Sequence, residues 1–223
     1  MKLLSHCVIA AITILVCVSM THAQDLSQYR TFAFGASVAS ISKQLDRPNE
    51  AQTIHQQPAL IQELTWYPPL PLGSSRPAEP VQKILFSFYN GALYKMLLVY
   101  DNEAIKGLTD EDMIQIVSAK YGDATKPVAT IDFPIDPMYT TSEKVMARWE
   151  NSHYSMNLFR SSIEDTFAII MLDKRVDALA DVSIAESVKL EQQEAHQKDS
   201  ERAKKEAADL EGERQQNIKT LRP

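Results

Sequence analysis

The chain has 223 residues, of which 44% are hydrophobic and 23% are charged, and its formal net charge is −6. A chain of this length with ordinary apolar content can build one large domain or two small ones. The acidic balance argues against nonspecific binding to nucleic acid or to an anionic membrane surface.

The N-terminal residues have the pattern of a cleavable secretory signal peptide. Lys2 supplies positive charge, Leu3–Val18 is almost wholly apolar, and Thr21-His22-Ala23 places small residues at the two positions that a signal peptidase reads. The apolar run is shorter than the roughly 18 to 20 residues that a membrane span needs, which favours cleavage over an uncleaved anchor. We therefore expect residues 1–23 to be removed and the mature protein, from Gln24, to be periplasmic or secreted.

Both cysteines, Cys7 and Cys17, lie in this segment. Lipidation at Cys17 is disfavoured because the preceding Val16 and Leu15 are not the small residues expected there. The mature chain is therefore expected to have no disulfide and no thiolate metal site or nucleophile, so its stability must come from a packed core. Without Lys2 it has 22 basic and 29 acidic residues, a net charge of −7, and no second apolar run of membrane-spanning length.

The first elements of the mature chain are a short strand and a helix. Phe32 and Phe34 alternate in a strand that stops at Gly35. Ser37 is placed to cap the following helix, and Pro48 lies beyond its end.

Strands and a proline-rich loop are predicted next. Ala59–Tyr67 has the composition of a sheet strand, although it also fits a short helix, and the prolines of Pro68–Pro80 mark a surface loop. Asn90-Gly91 then separates two apolar runs, Ile84–Phe88 and Leu93–Tyr100. Because Asn-Gly occupies positive φ at low cost, this pattern predicts a β-hairpin.

The second half of the chain repeats the order of helix and strands. Thr109 followed by three acids is typical of a helix N-terminus, and Gly122 is the expected stop. Three strands are predicted at Val145–Trp149, Tyr154–Phe159 and Thr166–Leu172.

A last helix begins near Asp173, and the elements then read as helix and three strands, twice, followed by a long helix. This order suggests a tandem duplication of an α-βββ unit within an α+β domain over residues 24–185, with halves 24–122 and 123–185. The hairpins indicate an antiparallel sheet with helices on one face. The last helix should place four apolar residues on one side, Val176, Leu179, Ala180 and Ile184.

The charged tail, residues 186–223, is rich in Glu, Lys, Gln and Ala. A coiled coil would need apolar residues at the a and d positions through three or four heptads, and few are available between Glu191 and Arg214. A solvated single helix, frayed or disordered near Gly212, is favoured over a helix that mediates oligomerisation.

No motif predicts a catalytic, cofactor or metal site, so enzymatic activity stays uncertain. The mature histidines, His55, His153 and His196, have no partner at ligand spacing. The chain lacks a Gly-x-Ser-x-Gly elbow, and Gly35 before Ser37 fits a helix cap better than a phosphate loop. A hydrolase assembled from dispersed residues stays open, with His153 and nearby acids as its first candidates.

Trp66 and Tyr67 are the predicted partner contacts. They adjoin the proline-rich loop, and exposed aromatic side chains anchor many interfaces. Most other aromatics lie on predicted strands, where packing is their expected role.

Three segments, Tyr29–Gly35, Phe86–Tyr94 and Gly107–Gly122, resemble uncharacterised exported bacterial proteins over most of the mature chain. The element order is also distantly similar to outer-membrane assembly lipoproteins of the SmpA/OmlA type and to the β-lactamase-inhibitor-protein fold, which are binding modules. The chain departs from both in lacking a lipobox and disulfide cysteines and in adding the charged tail. The resemblance implies no site residue.

We therefore predict an exported, non-enzymatic module of the bacterial envelope or secretome whose α+β body binds a protein or peptide partner. The alternatives are the dispersed-site hydrolase and a structural protein that oligomerises through its tail. Neither nucleic acid nor a membrane span after signal cleavage is expected.

Overall fold

The computed structural model describes residues 25–45, 50–69, 79–136, 139–162 and 165–221. It has three helices and a large antiparallel sheet within these ranges, which confirms the predicted α+β class. In chain order the elements are β1 (Gln28–Tyr29), β2 (Phe32–Ala33), α1 (Val38–Gln44), β3 (Gln52–His55), β4 (Ile61–Trp66), β5 (Val81–Tyr89), β6 (Ala92–Tyr100), α2 (Asp110–Tyr121), β7 (Thr130–Asp136), β8 (Tyr139–Glu150), β9 (Tyr154–Ser161), β10 (Thr166–Asp173) and α3 (Lys174–Leu221).

Two predicted segments lie outside the described residues. These are the signal peptide, residues 1–23, and residues 70–78 of the proline-rich loop. In the part of the chain that the structure describes, no helix combines the length and apolar character of a membrane span.

The sheet has the strand order β3-β4-β5-β6-β10-β9-β8-β7, with every neighbouring pair antiparallel. A helix precedes each set of four strands, so the order is helix and four strands, twice, and not helix and three strands. The two unpredicted strands, β3 and β7, are the edges of the sheet. β7 contains Pro134, which an edge strand tolerates because its outer amides have no strand to bond.

The Asn-Gly hairpin between β5 and β6 is confirmed. Asn90 and Gly91 have φ values of 49° and 80°, the positive region that this turn needs. The Asn90 side chain also accepts a hydrogen bond from the Leu60 amide at 3.0 Å, so the turn is fastened to the start of β4.

Both predicted helix caps are confirmed. The Ser37 side chain accepts from a backbone amide in the first turn of α1. Thr109 and Asp112 form a reciprocal capping box at α2, with the Asp112 amide 3.2 Å from Thr109 Oγ1 and the Thr109 amide 2.9 Å from Asp112 Oδ2. Gly122, at φ 76°, ends α2, and its carbonyl accepts from Trp149 Nε1 at 2.8 Å.

One face of the sheet carries the main core. The β1–β2 hairpin, α1 and α2 cover this face and contribute Phe32, Ile41 and Met113 to the core. The Phe32 ring packs edge-on against Phe86, with centroids 5.0 Å apart. We call this the packed face.

α3 lies on the opposite face, so the prediction that the helices share one face is wrong for it. Ala180 of α3 packs against Ile61 and Tyr94, whereas the neighbouring Leu64 and Leu93 belong to the core of the packed face. The reason is the pleat, which sends alternate side chains of a strand to opposite faces.

The inward side of α3 differs from the prediction at one position. Val176 and Ile184 pack beside Ala180 as expected, but Leu179 is 45% exposed. A helix contacts a sheet along a narrow stripe of residues spaced four apart, here Val176, Ala180 and Ile184. Leu179 lies beside this stripe.

α3 continues unbroken through Gly212 to Leu221, 48 residues in all, and is about 72 Å long at 1.5 Å per residue. The structure therefore differs from the expected disorder near Gly212. Every residue from Val188 to Leu221 is exposed, so this part of the helix projects from the body.

Candidate binding groove on the open face of the sheet

A groove with a volume of about 520 Å³ lies on the face opposite the packed face, between the sheet and the start of α3. α3 forms one wall through Asp177, Asp181 and Ile184, and Ile131 of the edge strand β7 contributes to the lining. The floor is made by the strand residues that alternate with those of the core. We call this space the groove.

The strand register arranges the floor in rows that run across the sheet. The polar row contains Glu63, Ser87 and Lys95, which are paired in register across β4, β5 and β6. Leu172 of β10 continues this row, opposite Lys95. This row lies next to the wall that α3 forms, because Lys95 contacts Asp177 of α3 directly.

The apolar rows follow, each two residues further along the strands. Leu85, Leu97 and Ile170 are paired across β5, β6 and β10 and form the first. The second contains Val99, Ala168 and Phe159, with Lys83 of β5 at its end opposite Val99. Because two residues of a strand span about 6.6 Å, each row lies that distance from the next.

Lys95 joins the floor to α3. Its Nζ lies 2.6 Å from Asp177 Oδ1 in a partly buried ion pair. Asp177 Oδ1 is buried and has no partner that meets hydrogen-bond geometry. Its contact with Lys95 is therefore an ion pair without a hydrogen bond. The charge of Lys95 is thereby largely offset within the wall of the groove.

Two carboxyl groups of the groove have raised pKa values. Burial raises the pKa of Glu63, and Lys95 and a hydrogen bond from Ser87 oppose that rise. Burial also raises the pKa of Asp181, with the neighbouring charge of Asp177 adding to the effect. Both carboxylates are thus held where their charged form is disfavoured.

Tyr94 lies between α3 and the floor and is 2% exposed. Burial, followed by the charges of Asp177, Asp181 and Glu63, raises the pKa of its phenol, so the hydroxyl is protonated at neutral pH. Lys95 Nζ lies 5.4 Å from the centre of its ring.

The predicted contact residues, Trp66 and Tyr67, are separated by the pleat. Trp66 is 8% exposed and packs in the core of the packed face, so its ring is not available to a partner. Tyr67 is 57% exposed. Neither residue lines the groove.

The three histidines in the described part of the chain lie apart. His55 Nδ1 is 3.0 Å from Glu191 Oε1 and links β3 to α3. His153 is exposed in the turn before β9, and His196 is exposed on α3. Considering the described residues only, no three His, Cys, Asp or Glu side chains are grouped to hold a metal ion.

The sequence pattern contained a signal for the groove that the prediction did not use. Leu93–Val99 and Phe167–Leu172 are apolar at nearly every position, whereas a strand with one solvated face alternates apolar and polar residues. An apolar second face must be covered by another element or by a ligand. The charged residues of the polar row gave no such signal, because Glu63 and Lys95 are far apart in sequence.

No family model matches the chain, and no curated protein or solved structure matches it. The resemblances drawn from its sequence therefore stay predictions.

Proposed function

We propose that the protein is an exported, non-enzymatic binding module whose groove accepts an apolar segment of a protein or peptide partner. The groove itself carries this proposal. Its volume of about 520 Å³ lies within the 300–1,000 Å³ typical of binding pockets, and its floor is mainly apolar, with polar groups in the polar row and at the opposite end.

The width of the floor suits an extended chain. The rows cross five neighbouring strands, β4, β5, β6, β10 and β9, and adjacent strands lie about 4.8 Å apart. Each row crosses three or four of these strands and is therefore about 10–14 Å long, which is the length of three or four residues of extended peptide. An elongated occupant lying along the first apolar row would cover Leu85 and Leu97, whereas the second row is already buried by the protein.

The first apolar row supplies the driving force for binding. Leu85 and Leu97 are apolar side chains that remain partly exposed within the groove. Covering their exposed surface would contribute about 25 cal/mol per Å² of apolar area removed from water. Export is proposed from the signal-peptide pattern of residues 1–23, and N-terminal sequencing of the protein recovered outside the cytoplasm should begin at Gln24.

A random-peptide display selection on the purified protein tests the binding proposal. Selected peptides are measured by fluorescence anisotropy against the protein and against Leu85→Gln, which places a polar group in the first apolar row. Val182→Gln on the exposed side of α3 is the matched control. We expect Leu85→Gln to weaken binding at least tenfold and Val182→Gln to leave it unchanged. Failure to recover any peptide sensitive to Leu85→Gln contradicts the proposal.

A hydrolase is the second candidate, and the raised pKa values of Glu63 and Asp181 are the observation in its favour, because a general acid needs such a carboxyl. His153 does not line the groove, so the candidate catalytic residues of a hydrolase become Glu63 and Asp181 instead of His153. Turnover in a broad hydrolase screen that is abolished by Glu63→Gln would establish this candidate instead of the binding module.

A further inference from the structure

We infer that the groove selects peptide segments in which a lysine or arginine side chain stands beside apolar residues. This inference rests on the proposed function and names the class of partner that the groove would accept. It follows from the charge of the lining and from the spacing of the rows.

The charge of the groove is negative. Among the described residues, its lining contains four acids and two lysines, a net charge of −2. Lys95 is already paired with Asp177, so it does not compensate Asp181 or Glu63 fully. A cation entering the groove would meet carboxylates that burial has deprived of water, where an opposite charge is most stabilising.

Tyr94 adds a hydroxyl group to the lining of the groove. Burial raises the pKa of this hydroxyl, and the charges of Asp177, Asp181 and Glu63 add to the rise, so the group is uncharged at neutral pH. A phenol oxygen can accept a hydrogen bond from an ammonium or guanidinium group. The Tyr94 oxygen and the carboxylates nearby together form an acceptor set that a cationic side chain can satisfy.

The rows explain why the partner must combine charge with apolar groups. The first apolar row, Leu85, Leu97 and Ile170, lies about 6.6 Å from the polar row. A peptide whose apolar side chains cover this row would therefore have a neighbouring lysine or arginine within reach of Glu63 and Asp181. An acidic peptide would instead meet like charges across the same distance, which disfavours it.

The test uses the displayed peptides that depend on Leu85, together with analogues in which norleucine replaces the basic residue. Norleucine keeps the aliphatic chain and removes the charge. Binding is measured with Asp181→Asn and Glu63→Gln, and with Asp199→Asn in the exposed part of α3 as the charge-matched control. Circular dichroism checks that each variant is folded.

We expect lysine or arginine to be enriched among the Leu85-dependent peptides, and Asp181→Asn or Glu63→Gln to weaken these peptides about tenfold. Asp199→Asn should have no effect, and the norleucine analogues should bind equally to all variants. Leu85-dependent peptides without basic residues, or basic peptides that ignore both groove variants, would overturn the inference and leave the proposed function standing. Recovery of no Leu85-dependent peptide would overturn both.

Discussion

The two faces of the sheet use the same strands for different purposes. On β5, Phe86 is fully buried in the packed face, whereas its neighbour Leu85 stays partly exposed in the groove. The difference lies in what covers each face. Two helices and a hairpin seal one side, but α3 covers only part of the other. Adjacent apolar residues in one strand can therefore support stability on one face and binding on the opposite face.

The largest expected effect comes from truncating one side chain on each face. Phe86→Ala should lower the free energy of unfolding by about 3–5 kcal/mol, because it leaves a cavity beside Phe32 in the core. Leu85→Ala, one residue earlier, should cost less than about 1.5 kcal/mol, since part of its surface is already in contact with water. Urea denaturation of the two variants measures the difference, and equal losses would contradict the comparison between the faces.

The docking of α3 should show an effect of intermediate size. Ala180 is fully buried against Ile61 and Tyr94, so Ala180→Leu overpacks this contact and should cost about 1–3 kcal/mol. Peptide binding should weaken in parallel because α3 forms a wall of the groove. Ala203→Leu in the exposed part of α3 is the matched control and should change neither property. Unaltered stability and binding in Ala180→Leu would show that α3 does not depend on this contact.

Glu63→Gln should have a smaller effect that depends on pH. The pKa of Glu63 is raised above its usual 4.5 in the folded protein, so the folded state holds the proton more tightly than the unfolded state. The free energy of unfolding therefore falls as the pH rises from the unfolded pKa through the folded pKa. Gln stays uncharged, so the variant should gain stability relative to the original protein between pH 4 and pH 7.

Denaturation at both pH values measures this gain, with Glu103→Gln as the control in an exposed loop. Glu103 is more than half exposed, so its substitution should change the free energy of unfolding by less than about 0.5 kcal/mol. A relative loss of stability by Glu63→Gln at pH 7 would indicate that the attraction of Lys95 outweighs the effect of burial.

The smallest effect is expected from removing the projecting part of α3. A chain that ends at Ala195 keeps the Ser187 hydroxyl bond to the Gln57 carbonyl and the ion pair of His55 with Glu191. The described residues beyond it, 196–221, are all exposed, so the body should keep its free energy of unfolding within about 0.5 kcal/mol. Light scattering on both chains also measures molar mass. A dimer that becomes a monomer on truncation would favour the alternative in which the tail mediates oligomerisation.

Local chemistry explains which elements could be predicted. The Asn90-Gly91 turn and the Thr109 capping box are confirmed because each depends on residues within a few positions of one another. β3 and β7 were not predicted because they are edge strands. Polar residues in β3 and the proline in β7 are also typical of loops, and the strand that pairs with each cannot be recognised from the sequence. Trp66 was assigned to the surface from its place beside a loop, whereas the pleat turns it into the core.

The sequence by itself determined the α+β class, the hairpins and helix caps, and the long charged helix, because these follow from propensities and hydrogen bonds over short distances. Only the tertiary structure decided that α3 lies on the face opposite α1 and α2, and that Glu63, Lys95 and Asp177 meet at one side of an apolar groove. The physical reason is that strand register and helix docking depend on contacts between residues far apart in the chain, which no local pattern records.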